Sequence, residues 1–354
     1  MKKTFILVLI IPLLLLTSCY SYDNISETLF VNTVGIDYDN EKNEYIVYYH
    51  MTNPSTLTTE ALGGSSEENT FSIAKGKSDT ILKAMQIISS NSNKRIKLTH
   101  VKTYLFSLNY LKYENLKKFH EFIKTSPYLY SDFRILITDS DIEEIFKFTD
   151  IENTSPYYSL IVSSNDSEET YKMTTLIDFS RGINEDYYGL SFPFVRATKD
   201  VWETQKEEIY SLKIEGSIFI NKDDNILLLE EDKYPIIFLL KTKKNASVII
   251  DDYHYLMTRH KYKVKHLEDN NFLIKIKVIA YITQYGKANH DIKELFINHM
   301  KNSLDELIIA SKENDVDIFS VKNILYRKGK LKSAFNYKDA NFIYDFDVKI
   351  ISII

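Results

Sequence analysis

Alternation of apolar and polar positions marks the first elements of the chain. Leu29 to Asp37 and Glu44 to Thr52 are rich in β-branched and aromatic residues and flank the polar stretch Tyr38 to Asn43, which predicts a hairpin. A second polar stretch, from Asn53-Pro54 to Asn69 with Gly63-Gly64-Ser65-Ser66 at its centre, reads as a loop. Thr70 to Gly76 alternates as a strand, and Ser78 is placed to cap a helix running to about Ser90, with Ile81, Leu82, Met85 and Ile88 at helical spacing. The order then repeats. Val101 to Leu108 reads as a strand, and Glu114 to Lys124 puts Leu116, Phe119 and Ile123 on one helix face. Asp132 to Thr138 is a further strand, and Ser140-Asp141-Ile142-Glu143 matches a capping box that opens a helix carrying Ile145 and Phe146.

The pattern weakens over residues 152–208. Ser155-Pro156 and Thr174 can each start a short helix around the polar stretch Ser163 to Thr170, so this segment reads as a small, mostly helical connector. Strands follow at Leu212 to Asn221, Ser247 to Asp252, Leu256 to His266 and Phe272 to Gln284, and predict a meander. Asn289 to Lys312 carries the longest helical stripe, which should pack across that sheet. Phe342, Tyr344, Phe346, Val348 and Ile350 then share one face of a closing strand. The expected fold class is α+β and multidomain, with mixed or antiparallel sheets each packed against helices. Its divisions are a leader over 1–18, an α/β-patterned domain over 19–151, the connector over 152–208, and a C-terminal antiparallel sheet with a long helix over 209–354.

The leader sets the compartment. Lys2 and Lys3 precede Phe5 to Leu16, twelve residues that are apolar apart from one proline. At about 1.5 Å per residue they span about 18 Å, short of the roughly 30 Å hydrocarbon core, so they read as a signal peptide. Leu16, Thr17, Ser18 and Cys19 then resemble a bacterial lipobox. A thiol can take a diacylglyceryl group, and the small residues at 17 and 18 let a peptidase reach the bond before it. An ordinary export signal, with Cys19 a bystander, is the competing reading. Two acyl chains would supply the two signals that stable anchoring needs. The expected location is therefore extracytoplasmic, with the body tethered to a membrane through Cys19.

Charge and cysteine content narrow the function classes. The 354 residues carry 44 basic and 49 acidic side chains, a net −5 that does not suit a nucleic-acid binder. Removing residues 1–18 leaves 42 against 49, so anionic headgroups would not attract the body as a whole. Cys19 is the only cysteine, so no intrachain disulfide forms.

Chemical motifs are sparse. Gly76-Lys77-Ser78 lies between a strand and a helix, but Phe71 occupies the position where a phosphate loop needs its first glycine. His254, His260 and His266 recur every six residues, which separates them by about 20 Å in one extended strand, too far to share an ion. Asp223-Asp224, Glu230-Glu231 and Asp251-Asp252 lack calcium-loop spacing and read as solvated turns. Trp202, the only tryptophan, reads as a packing anchor. No His-Glu-x-x-His pair or Gly-x-Ser-x-Gly elbow occurs, so no catalytic, metal-binding or cofactor-binding residue is assigned and the expectation is a protein that is not an enzyme.

Seven segments follow one another along the chain: Cys19 to Ile25, Val34-Gly35-Ile36-Asp37, Met51 to Ser55, Ala74 to Ser78 with Ile81 to Ser89, Thr99-His100-Val101, Leu212 to Phe219, and Asp315-Val316-Asp317-Ile318-Phe319. Taken in that order, they resemble the Ger(x)C family, the lipoprotein C subunits of spore germinant receptors. The resemblance implies a three-domain α+β body without catalytic residues, tethered to the outer leaflet of the spore inner membrane. It also implies two partners, the integral membrane A-type and B-type receptor subunits, in the response to nutrients. The alternative is a solute-binding lipoprotein of a transporter, against which stands the change from an α/β pattern to a sheet with one long helix. A tethered hydrolase with a site built from scattered residues is a third reading.

Overall fold

The computed structural model describes residues 27–52, 71–126, 133–147, 173–185, 187, 189–203, 208–230, 236, 246–251, 253–284 and 291–352. The segments expected to be a signal peptide, a lipobox, a loop over 53–69, a helix start at Ser155-Pro156 and a loop over 163–170 lie outside the described residues. So does the side chain of Trp202.

The predicted hairpin is β1 (Thr28–Asp39) and β2 (Glu44–Thr52), paired antiparallel. After it come β3 (Phe71–Ser78), α1 (Ile81–Ser90), β4 (Arg95–Lys97), β5 (Thr103–Ser107), α2 (Tyr113–Thr125), β6 (Arg134–Thr138) and α3 (Ile142–Lys147). The described chain resumes with β7 (Thr174–Thr175), α4 (Leu176–Asn184), β8 (Leu190–Glu203), β9 (Glu208–Ile220) and β10 (Ile226–Glu230). These strands form one mixed ten-stranded sheet in the order β10-β9-β8-β6-β5-β1-β2-β3, with β4 beside β1 and β7 beside β6. β1, β5, β6 and β8 are mutually parallel along its centre.

Central parallel strands are covered on both faces, which is why they read as nearly continuous apolar runs. All five residues of β5 are buried. Tyr104 and Phe106 meet Phe119 of α2 on one face, in a core that also takes in α1 and α4, while Leu105 meets Ile142, Ile145 and Phe146 of α3 on the other.

The second sheet holds β11 (Ala246–Ile250), β12 (Tyr253–His266), β13 (Asn271–Gln284) and β14 (Asn341–Ser352), in that order. Between β13 and β14 run α5 (Ile292–Glu313), α6 (Val321–Arg327) and a short 3-10 turn, Tyr337–Asp339. Phe296, Met300, Leu304 and Leu307 of α5 pack on Ile274, Ile276, Val278, Ala280 and Ile282 of β13, as the stripe predicts.

Three local expectations change. β11, β12 and β13 form the expected meander, but β14 pairs parallel with β13 after a helical crossover, so the C-terminal sheet expected to be antiparallel is mixed. The C-terminal unit was expected to open at 209, but β9 pairs with β8 and β10 in the first sheet, and the second sheet begins at Ala246. Within the connector expected over 152–208, α4 is helical as read, whereas residues 190–203 form the strand β8.

β9 and β10 also join the two sheets. Ile218 and Ile220 face the first core, while Phe219, Leu227 and Leu229 enter the second core with Val316 and Phe319. The hairpin is therefore apolar on both faces.

Candidate functional site

The residues flagged for chemistry do not converge. His254, His260 and His266 all lie on β12, as the spacing requires; His266 is buried, with Nε2 2.9 Å from the Asp269 carbonyl oxygen. Among the described residues no group of three or more His, Cys, Asp or Glu side chains could hold a metal ion. Gly76-Lys77-Ser78 is the end of β3, in antiparallel register with Tyr45, Ile46 and Val47 of β2. Its glycine lets a helix approach, since a Cβ there would collide with the Ala84 carbonyl oxygen of α1.

The other signature segments also make structural contacts. In Val34-Gly35-Ile36-Asp37, a Cβ at Gly35 would lie 2.5 Å from Ile142 Cγ2, so the glycine is what allows α3 to sit against β1. Two positions on, the Asp37 carboxylate accepts hydrogen bonds from the Ser107 hydroxyl and the Tyr38 backbone N–H, tying β1 to the end of β5.

Asp315-Val316-Asp317-Ile318-Phe319 forms the turn between α5 and α6. Asp317 Oδ1 accepts from Val321 N at 2.9 Å and Oδ2 from Lys322 N at 2.8 Å, holding the first turn of α6, which Ser320 enters with a positive φ of 55°. Enclosure by protein pushes the Asp317 carboxyl up to about 6, and the backbone donors oppose that shift. Val316 and Phe319 are buried beside it. The turn abuts the first sheet: Asn221 Nδ2 donates to the Asp315 carbonyl oxygen at 3.0 Å, and the Tyr187 and Tyr326 rings lie 5.0 Å apart. A small cavity of about 90 Å³ remains between Gly189, Asn221, Asp315 and Asp317. Such an arrangement fixes two sheets relative to each other through backbone bonds and apolar contacts.

Two charged arrangements escaped the sequence reading. Arg196 on β8 reaches Asp139 at 2.8 Å, Glu215 at 3.2 Å and Glu230 at 2.7 Å, so its pKa is raised first by Asp139 and the cluster fastens β9 and β10 to the end of β6. Its partners are non-local, and no spacing reveals them. The other is an alternation of cations along β12, at Arg259, Lys261, Lys263 and Lys265, all exposed. That one was visible as a period of two.

No helix among the described residues is long and apolar enough to cross a membrane. Cys19, Leu16, Thr17 and Ser18 have no described position.

Comparisons with known proteins return no match among curated proteins. A crystal structure of the GerBC protein aligns with 90% of this chain and 96% of its own length, at 13% identity and a TM-score of 0.49. The model of the spore germination protein N-terminal domain matches residues 21–197. That match covers half of the chain, and with it the protein belongs to this family of spore germination proteins.

Proposed function

We propose that this chain is the lipid-anchored, non-catalytic C-type subunit of a spore germinant receptor. It works on the outer leaflet of the spore inner membrane together with the integral A-type and B-type subunits. The observation that carries the reading is where the family match begins: residue 21, two positions after the lipobox cysteine. The domain thus starts where a processed, acylated chain would start. Signature residues that pack helices and cap turns accord with a body that acts through contacts. In this role Cys19 raises the effective concentration of that body beside its membrane partners.

Two measurements test it. Spores lacking the gene should stop responding to at least one nutrient germinant; an unchanged response to all nutrients would refute the receptor role. Cys19→Ala should move the protein from the membrane to the soluble fraction of broken spores. Retention in the membrane fraction with residues 1–18 removed would refute the acyl tether.

A further inference from the structure

The second sheet has one face under α5 and one face open. Its registers place the outward side chains in rows across three strands: Arg259, Ile279 and Lys349; Lys261, Lys277 and Asp347; Lys263, Lys275 and Asp345; Lys265, Leu273 and Ile343. Seven cations and two carboxylates stand on this face, in a chain whose net charge is −5. The two carboxylates are taken, since Lys275 binds Asp345 and Lys277 binds Asp347, each at 2.6 Å. Among the described residues no ion pair involves Arg259, Lys261, Lys263, Lys265 or Lys349. Residues two apart on a strand are about 6.7 Å apart and adjacent strands about 4.8 Å, so these cations cover an area of about 20 by 10 Å.

We propose that this face docks on an anionic phospholipid layer. Charge complementarity is the first ground: like charges held this close repel, and an acidic headgroup layer relieves that repulsion at every position. Shape and composition supply the second. The face holds an open depression of about 510 Å³ between Arg259, Lys277 and Lys349 rather than the enclosed pocket that the anchor residue of a protein partner fills. Apolar side chains border the cations: Leu256, Tyr281 and Ile351 form the next row, and Ile343 is half exposed. Aliphatic and tyrosine side chains beside lysines suit the boundary between headgroups and acyl chains. The proposal deepens the membrane reading above, because it adds a second, electrostatic contact to the tether and so orients the body.

The test uses the full chain reconstituted in vesicles of phosphatidylcholine alone or mixed with phosphatidylglycerol. A membrane-impermeant amine reagent labels lysines, read by mass spectrometry, with exposed Lys117 and Lys301 on the helices as internal references. Lys261, Lys263, Lys265 and Lys349 should label several-fold more slowly on the anionic vesicles, and the difference should vanish in about 1 M salt, where the Debye length is about 3 Å. Lys261→Gln, Lys263→Gln and Lys265→Gln together should abolish the protection of Lys349. Equal labelling on both vesicles, with the chain still bound to them, overturns the proposal and leaves the tether intact. A chain that ignores neutral vesicles but is protected on anionic ones refutes the tether and upholds this face. Protection seen only with the integral receptor subunits present assigns the face to an acidic protein and overturns the proposal.

Discussion

His50 lies in β2 with its ring stacked on Phe71 at 4.8 Å and edge-on to Phe146 at 5.6 Å. Burial pushes its pKa from the ordinary 6.5 down to about 4. The folded state therefore binds this proton less readily than the unfolded one. The stability His50 contributes is complete above about 6.5 and is lost as pH falls toward 4, by about 3 kcal/mol at most. Asp317 acts in the opposite sense over nearly the same interval. Its carboxyl, held up at about 6, makes the fold less stable as pH rises from its ordinary 3.8 through that value. The two slopes oppose each other in the native protein, so comparing each variant with the parent separates them. His50→Leu should remove the acid-side loss, so that its urea midpoint, compared with the parent at each pH, gains most between pH 6.5 and 4. A parallel pair of curves would show that His50 does not titrate as its burial requires.

Helix starts show how one element constrains the next. Ser78 stands at a good capping position by sequence, but β3 keeps it in the ladder opposite Tyr45, and its hydroxyl bonds Asp79. The cap of α1 falls instead to Thr80, in extended backbone, whose Oγ1 accepts from Lys83 N at 3.3 Å. The same shift occurs at α3, where Asp141 rather than Ser140 accepts from the backbone N–H groups of Glu143 and Glu144. Thr80→Ala should cost about 1 kcal/mol of stability and Ser78→Ala less than about 0.5, measured by urea unfolding; the reverse order would return the cap to Ser78. Elements held by local spacing were legible: the β1–β2 hairpin, the α5 stripe, and the alternation in β13 and β14. β8 was not, because Pro193 interrupts its pattern and its pairing with β6 and β9 is non-local. The cations of β12 were legible as a strand, while their placement beside Lys275, Lys277 and Lys349 needed the register of three strands.

At the scale of the molecule, the β9–β10 hairpin belongs to two cores at once. β9 was readable from the sequence and β10 was not assigned, and a strand apolar on both faces does not say which sheet it joins, so pairing with β8 was decided by contacts distant in sequence. The candidate site was legible to a similar extent. The lipobox-like run from Leu16 to Cys19 and the order of signature segments pointed to the family, whereas the packing roles of Gly35 and Asp317 emerged only in the fold. The joint makes an unequal coupling. The first sheet buries α1, α2 and α3 against cores of its own, whereas Phe219, Leu227 and Leu229 share theirs with α5, α6 and the second sheet. Phe319→Ala opens a cavity in that shared core, a change that costs about 3–5 kcal/mol in well-packed sites. Hydrogen exchange should therefore accelerate in β12, β13, α5 and the β9–β10 hairpin, and stay unchanged in β1, β2 and β3. Uniform acceleration through all these strands would mean that the two sheets unfold as one cooperative unit, with the hairpin transmitting the damage to the first core.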